Sequence, residues 1–168
     1  MKNLILTLVL FFAVFTKVSA QEKPSNTTVF LSLLESRKND FKDIMKEKLP
    51  VSFPDPAEVS YASKIGFGAA KESINISEAN KTSYFISYFD YSSTDELLKS
   101  APVIDEVLKI INMVARGTKY KGKDFTAENG DEYTQLTDLN GNLILSLTTT
   151  SGNKACYIMV TGQSFDAK

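Results

Sequence analysis

A chain of 168 residues with 19 basic and 20 acidic side chains is long enough to bury one core without metal or disulfide staples, and too evenly charged for a dedicated nucleic-acid or polybasic membrane binder. It contains no histidine, so serine-histidine and cysteine-histidine nucleophilic machinery, which needs an imidazole that takes and returns a proton near neutral pH, is excluded. Cys156 is the only cysteine; it can form no intramolecular disulfide, and without imidazoles beside it builds no zinc site, so neither a metal nor another cofactor is expected.

Residues 1–20 have the layout of a cleavable signal peptide: Lys2 for positive charge, an apolar run over residues 4–15, and the small-residue close Val18-Ser19-Ala20. Cleavage is expected between Ala20 and Gln21. The run stops at Thr16 and Lys17, short of the about 20 apolar residues that a spanning helix needs, so the membrane is met only in transit and the destination is periplasmic or extracellular. Residues 21–26 read as a polar lead-in, 27–164 as a single α+β domain, and 165–168 as a tail.

Phe30, Leu33, Leu34, Phe41, Ile44, Met45 and Leu49 recur at helical spacing and predict an amphipathic helix of about six turns, ended by Pro50. Phe53-Pro54-Asp55-Pro56 then makes an extended connector. Residues 56–65 fit a short helix opened by Asp55, Pro56 and Glu58, or a strand. Gly66 and Gly68 punctuate the chain; residues 69–77 and the aromatic, β-branched residues 82–91 read as strands.

Ser93 and Glu96 carry a capping-box signature, followed at helical spacing by Leu97, Leu98, Ala101, Ile104, Val107, Leu108, Ile111 and Val114. Pro102 is expected to kink or restart this second helix, and Arg116 with Gly117 to end it. From Tyr120 the period becomes two, and Asn129-Gly130, Asn140-Gly141 and Ser151-Gly152 are hairpin dipeptides, so a meander of about four strands follows. Leu143, Leu145 and Leu147 share one strand face, as do Cys156, Ile158 and Val160; these six are expected to meet the helices. The fold class is therefore α+β, an antiparallel sheet of about five to six strands with two main helices packed on one face.

Few motifs survive inspection. Asp138-Leu139-Asn140-Gly141-Asn142 begins like a calcium loop but places Leu143 where glycine is needed and Thr149 where a bidentate glutamate belongs, which leaves a hairpin turn. Gly66-Phe67-Gly68 opens like a dinucleotide fingerprint but has Lys71 at the third glycine. Ser151 and Lys154 have serine-x-x-lysine spacing, yet they flank a turn and not a helix start. Asn26, Asn75 and Asn80 are glycosylation acceptors if export passes through an endoplasmic reticulum. Asp131, Glu132 and Asp138 are carboxylates that a hairpin meander would have to bring together for histidine-independent hydrolysis.

Two candidate surfaces remain. Arg116, Lys119, Lys121 and Lys123 around Tyr120 form the one local basic cluster, an anion site or else a complement to a helix C-terminus and a guard on an edge strand. Tyr84 and Tyr88 alternate along an unusually aromatic strand, and Tyr157 and Met159 alternate on another; if helices cover one face only, these four form a ligand or partner surface. The expectation is an exported, non-catalytic binding or interaction module, its partner an unknown protein or a small apolar ligand and not a nucleic acid. A homodimer is compatible with it. The alternatives are a carrier holding an apolar ligand between helices and sheet, and a hydrolase using carboxylates.

Overall fold

The computed structural model describes residues 23–152 and 154–165; the expected signal peptide with its cleavage point at Ala20 and Gln21 lies outside the described residues, as does the end of the tail. Helix α1 (Asn26–Ser36) leads into strands β1 (Met45–Lys48), β2 (Val59–Ser63), β3 (Lys71–Ser77) and β4 (Thr82–Asp90). Helix α2 (Thr94–Ala115) then connects to β5 (Tyr120–Thr126), β6 (Glu132–Asp138), β7 (Leu143–Thr149) and β8 (Ala155–Thr161). The strands form one antiparallel sheet in the order β1-β2-β3-β4-β8-β7-β6-β5, two meanders joined through the central β4–β8 pair. The fold is α+β with two helices and one antiparallel sheet, but the sheet has eight strands where five to six were expected.

Of the two additional strands, β1 comes from a stretch whose spacing predicts helix and β2 from the stretch left open between helix and strand. The expected six-turn helix ends at Ser36, passes through one 3₁₀ turn over Arg37–Asn39, and reverses where Asp40 (φ 58°) and Phe41 (φ 63°) adopt left-handed backbone. Aspartate tolerates that region; Phe41 is held there by complete burial. Phe41 and Ile44 still reach the same core as α1, so the apolar spacing continues although the helix does not. Met45–Lys48 becomes an edge strand paired with β2, and Val59–Ser63 resolves the ambiguous stretch as strand.

Three bonds fasten the reversal. The Asp40 carboxylate accepts from Ser83 Oγ at 2.8 Å, Ser164 N at 2.9 Å and Ser164 Oγ at 2.7 Å, joining the exit of α1 to β4 and to the C-terminal turn. Gly162 closes the same knot: its N–H donates to Ser83 O at 2.8 Å, and an added Cβ would stand 2.1 Å from Ser83 Oγ.

Helix α2 starts as its sequence directs, with the Ser93 side chain accepting the Glu96 N–H, and it runs through Pro102 as one element. The core is built on a transverse row, Ile74, Phe85, Val160, Leu145 and Leu136, in register across five strands. This row shares one buried cluster with Val29, Phe30 and Leu33 of α1 and Ile104, Val107 and Ile111 of α2. Of the six meander residues expected there, Leu145, Leu147, Cys156, Ile158 and Val160 belong to the cluster and Leu143 is only half-buried. A bulge explains the exception. The β6–β7 register passes from Leu136↔Leu145 to Thr137↔Leu143, so β7 holds one extra residue, and Ile144 enters the core in place of Leu143.

Candidate functional site

Strand alternation sends every second side chain to the face away from the helices. One row there crosses six strands: Lys71, Tyr88, Tyr157, Thr148, Tyr133 and Phe125, each in register with the next. Ring centroids are 5.2 Å apart for Tyr88 and Tyr157, and Phe125 stacks on Tyr133 at 4.9 Å with planes 4° apart. The adjacent row is Ser73, Ile86, Met159, Ser146, Gln135 and Lys123. Tyr88, Tyr157 and Met159 are thus neighbours on one sheet face, half-buried by each other and not covered by helix.

Tyr84 is on the same face but under cover. The β1–β2 connector folds over this corner: Leu49 N donates to Ser60 O at 2.8 Å, Phe53 N to Ser60 Oγ at 3.1 Å, and Ser73 Oγ to Phe53 O at 3.3 Å. The Tyr84 hydroxyl donates to the Glu58 carboxylate, and the residue is only 8% exposed. Burial, and then the Glu58 charge, push its phenol far above the ordinary range, so it stays protonated. Asn75 lies beneath the connector too, accepting from Ser60 and Ser73; its Nδ2 has no partner among the described residues and sits beside the Tyr84 hydroxyl. Fully buried, Asn75 is unreachable as a glycosylation acceptor in the folded chain.

Where the connector meets β3 there is a cleft of about 440 Å³ lined by Leu49, Val51, Ser52, Phe53, Ala70, Lys71, Glu72 and Ser73, within the usual range of about 300–1,000 Å³ for small-ligand sites. It exists because the registered pairs of the β2–β3 ladder end at Tyr61↔Ile74, while β3 continues to Lys71 along β4. The connector covers the vacated edge loosely. Phe53 joins the cleft to the aromatic row, its ring 5.4 Å from Tyr88 edge to face, and Lys71 Nζ lies 4.8 Å from the Phe53 ring and 5.7 Å from that of Tyr88.

The basic cluster divides. Lys121 and Lys123 lie by register on the open face beside Phe125, with Lys123 Nζ 5.0 Å from that ring. Arg116 caps α2 and Lys119 follows in the turn. A groove of about 250 Å³ between α2 and the β5–β6 edge is lined by both Arg116 and Lys123, together with Asp124.

Of the carboxylates named for hydrolysis, Asp138 stands apart from the chain neighbours Asp131 and Glu132. Asp131 and Asp138 flank opposite ends of β6, roughly 20 Å apart at about 3.3 Å per residue, whereas paired glycosidase carboxyls stand within about 10 Å. Each is engaged by turns: Asp131 accepts from Asn129 Nδ2 of its own turn and from Ser151 N of the β7–β8 turn, and Asp138 from Asn140 N and Asn142 N of its own. Among the described residues no group of three or more His, Cys, Asp or Glu is placed to hold a metal, and no helix is long and apolar enough to cross a membrane.

Cys156 is fully buried on the helix-facing side of β8, and burial pushes its thiol up to about 12 despite bonds from Thr149 and Tyr91 that lower it. Ellman's reagent is expected to leave the native protein unlabelled at neutral pH and to titrate the thiol fully in denaturant. Fast labelling of the native chain would contradict this packing.

Phe53 and Val51 were not signalled by the sequence, because a proline-rich connector has no periodicity from which docking is read, and Leu49 was assigned to the apolar stripe of the expected first helix. Tyr133 and Phe125 were not named from the sequence either; the period-two alternation of the meander was there, but only the strand register joins them to Tyr157. Comparison of the chain with protein-family models, with curated proteins and with solved structures gives no match.

Proposed function

We propose that this chain is an exported, non-catalytic binding module that holds a small, largely apolar ligand on the sheet face opposite its helices. The observation that carries the reading is the cleft between the connector and β3, with apolar walls from Leu49, Val51, Phe53 and Ala70 and a continuous path onto the rings of Tyr88 and Tyr157. The space between helices and sheet, the other place for such a ligand, is filled by side chains of the buried cluster. Val51 at the lip of the cleft is 74% exposed, an apolar surface that the fold itself does not bury. Export rests on the layout of residues 1–20.

Uptake of the neutral fluorescent probe N-phenylnaphthylamine tests the reading. The wild-type chain is expected to bind it saturably at one site, and Ala70→Trp, which fills the cleft from an exposed position, is expected to abolish uptake with little change in melting temperature. A wild-type chain that takes up no probe, or an Ala70→Trp variant that folds and binds as before, would count against it.

A further inference from the structure

We infer that the ligand of this cleft is an amphiphile with one carboxylate head, seated on Lys71, and an apolar chain lying against Leu49, Val51, Phe53 and Ala70; this rests on the binding-module reading above. Ser52 Oγ already donates to Glu58 O, and the single hydrogen of Ser73 Oγ is shared between Phe53 O and Asn75 Oδ1, both at 3.3 Å. Glu72 Oε1 accepts from Gly68 N at 3.0 Å, Ala69 N at 3.3 Å and Ser87 Oγ at 2.8 Å, so this carboxylate holds the loop before β3 and by strand alternation is turned to the face opposite Lys71.

Lys71 is different. Its ammonium rests over two aromatic rings, an arrangement that places the charge without consuming its N–H donors, and no ion pair to it is found among the described residues. Asp90, whose carboxyl the Lys71 charge helps to lower, is engaged by the Ser92 N–H at 2.7 Å. A ligand entering the cleft therefore meets apolar walls, hydroxyls whose hydrogens are committed, and one uncommitted cation at the rim. That combination matches a single anion on an apolar body. A polyhydroxylated ligand would lose its hydration without finding replacement donors, and a cationic head would meet Lys71 at close range.

Displacement of N-phenylnaphthylamine by dodecanoate, dodecanol and dodecyltrimethylammonium, below their micelle-forming concentrations, tests the head group. Dodecanoate is expected to displace the probe most strongly. Lys71→Gln is expected to weaken dodecanoate about five-fold, as for an ion pair at a partly exposed rim, while leaving dodecanol unchanged; Lys71→Arg restores dodecanoate binding. If dodecanol equals dodecanoate in the wild type, or Lys71→Gln has no effect, the carboxylate assignment is wrong and the apolar cleft stands. If neither the probe nor any of the three amphiphiles binds the wild-type chain, the binding-module reading fails with it.

Discussion

Phe85→Ala is expected to cost about 3–5 kcal/mol of folding stability, the usual range for deleting a fully buried phenylalanine ring, out of the about 5–15 kcal/mol a domain of this kind holds. Phe85 has no exposed surface and sits mid-strand in β4, in register with Ile74 on one side and Val160 on the other. Its ring meets Phe67 edge to face at 6.4 Å, and Phe67 anchors the loop that Glu72 fastens from the other end. Backbone ladders on both sides keep β4 from moving in to close the cavity, so relaxation recovers little. Urea unfolding monitored by circular dichroism should show a much lower midpoint at unchanged slope. Tyr157→Ala, three residues along β8 from Val160, the register partner of Phe85, and so on the opposite face, should cost no more than about 1 kcal/mol. Equal losses for the two variants would mean that the rings on the open face are a second core.

Asp40→Ala is expected to lose about 2–3 kcal/mol, from three hydrogen bonds to an ionised acceptor and from a left-handed backbone that alanine adopts less readily. Asp40→Asn keeps the shape and tolerates φ 58°, so it separates the charge from the geometry and should cost about half as much. Burial alone raises the Asp40 carboxyl, but the bonds from Ser164 and Ser83, with the attraction of Lys42, outweigh it and hold the group below the ordinary aspartate value of 3.8. A carboxyl depressed in the folded state contributes stability that is complete above its unfolded value and lost as pH falls through the folded one. The gap between wild type and Asp40→Asn should therefore be constant at neutral pH and shrink from about pH 4 downward. Urea midpoints measured for both proteins from neutral to acid pH check the sign. A gap that widens in acid would contradict the account.

Sequence reasoning succeeded where a local signal and the tertiary outcome coincide. Ser93 followed by Glu96 marks the start of α2, and the Asn129-Gly130 and Asn140-Gly141 dipeptides sit in turns whose glycines have φ of 84° and 90°. The alternation in β7 and β8 placed five of six inward residues, failing only at Leu143, because a bulge depends on the partner strand. It failed where strandness is conferred by a neighbour. Met45–Lys48 reads as one apolar residue and three charges, and becomes a strand because β2 offers it an edge. The helical period across residues 30–49 misled for a related reason: a tight reversal at Asp40 and Phe41 returns Ile44 to the core much as a continuing helix would.

The site was legible in part. Alternation along two strands put Tyr88, Tyr157 and Met159 on a common face before any neighbour was known, and it put Tyr84 there too. What alternation does not carry is coverage: the connector closes over Tyr84 through Glu58 and leaves Tyr88 in contact with only the edge of Phe53. The cleft follows from the same event, since it is the gap between that connector and the first residues of β3.

The most direct test is a titration of the isotope-labelled wild-type chain with dodecanoate, following backbone amide chemical shifts. The account predicts saturable shifts confined to Leu49, residues 51–53 and 70–73 and to Tyr88, with the amides of α2 unmoved. Shifts centred instead on the groove between α2 and the β5–β6 edge, or no saturable shifts anywhere, would contradict it.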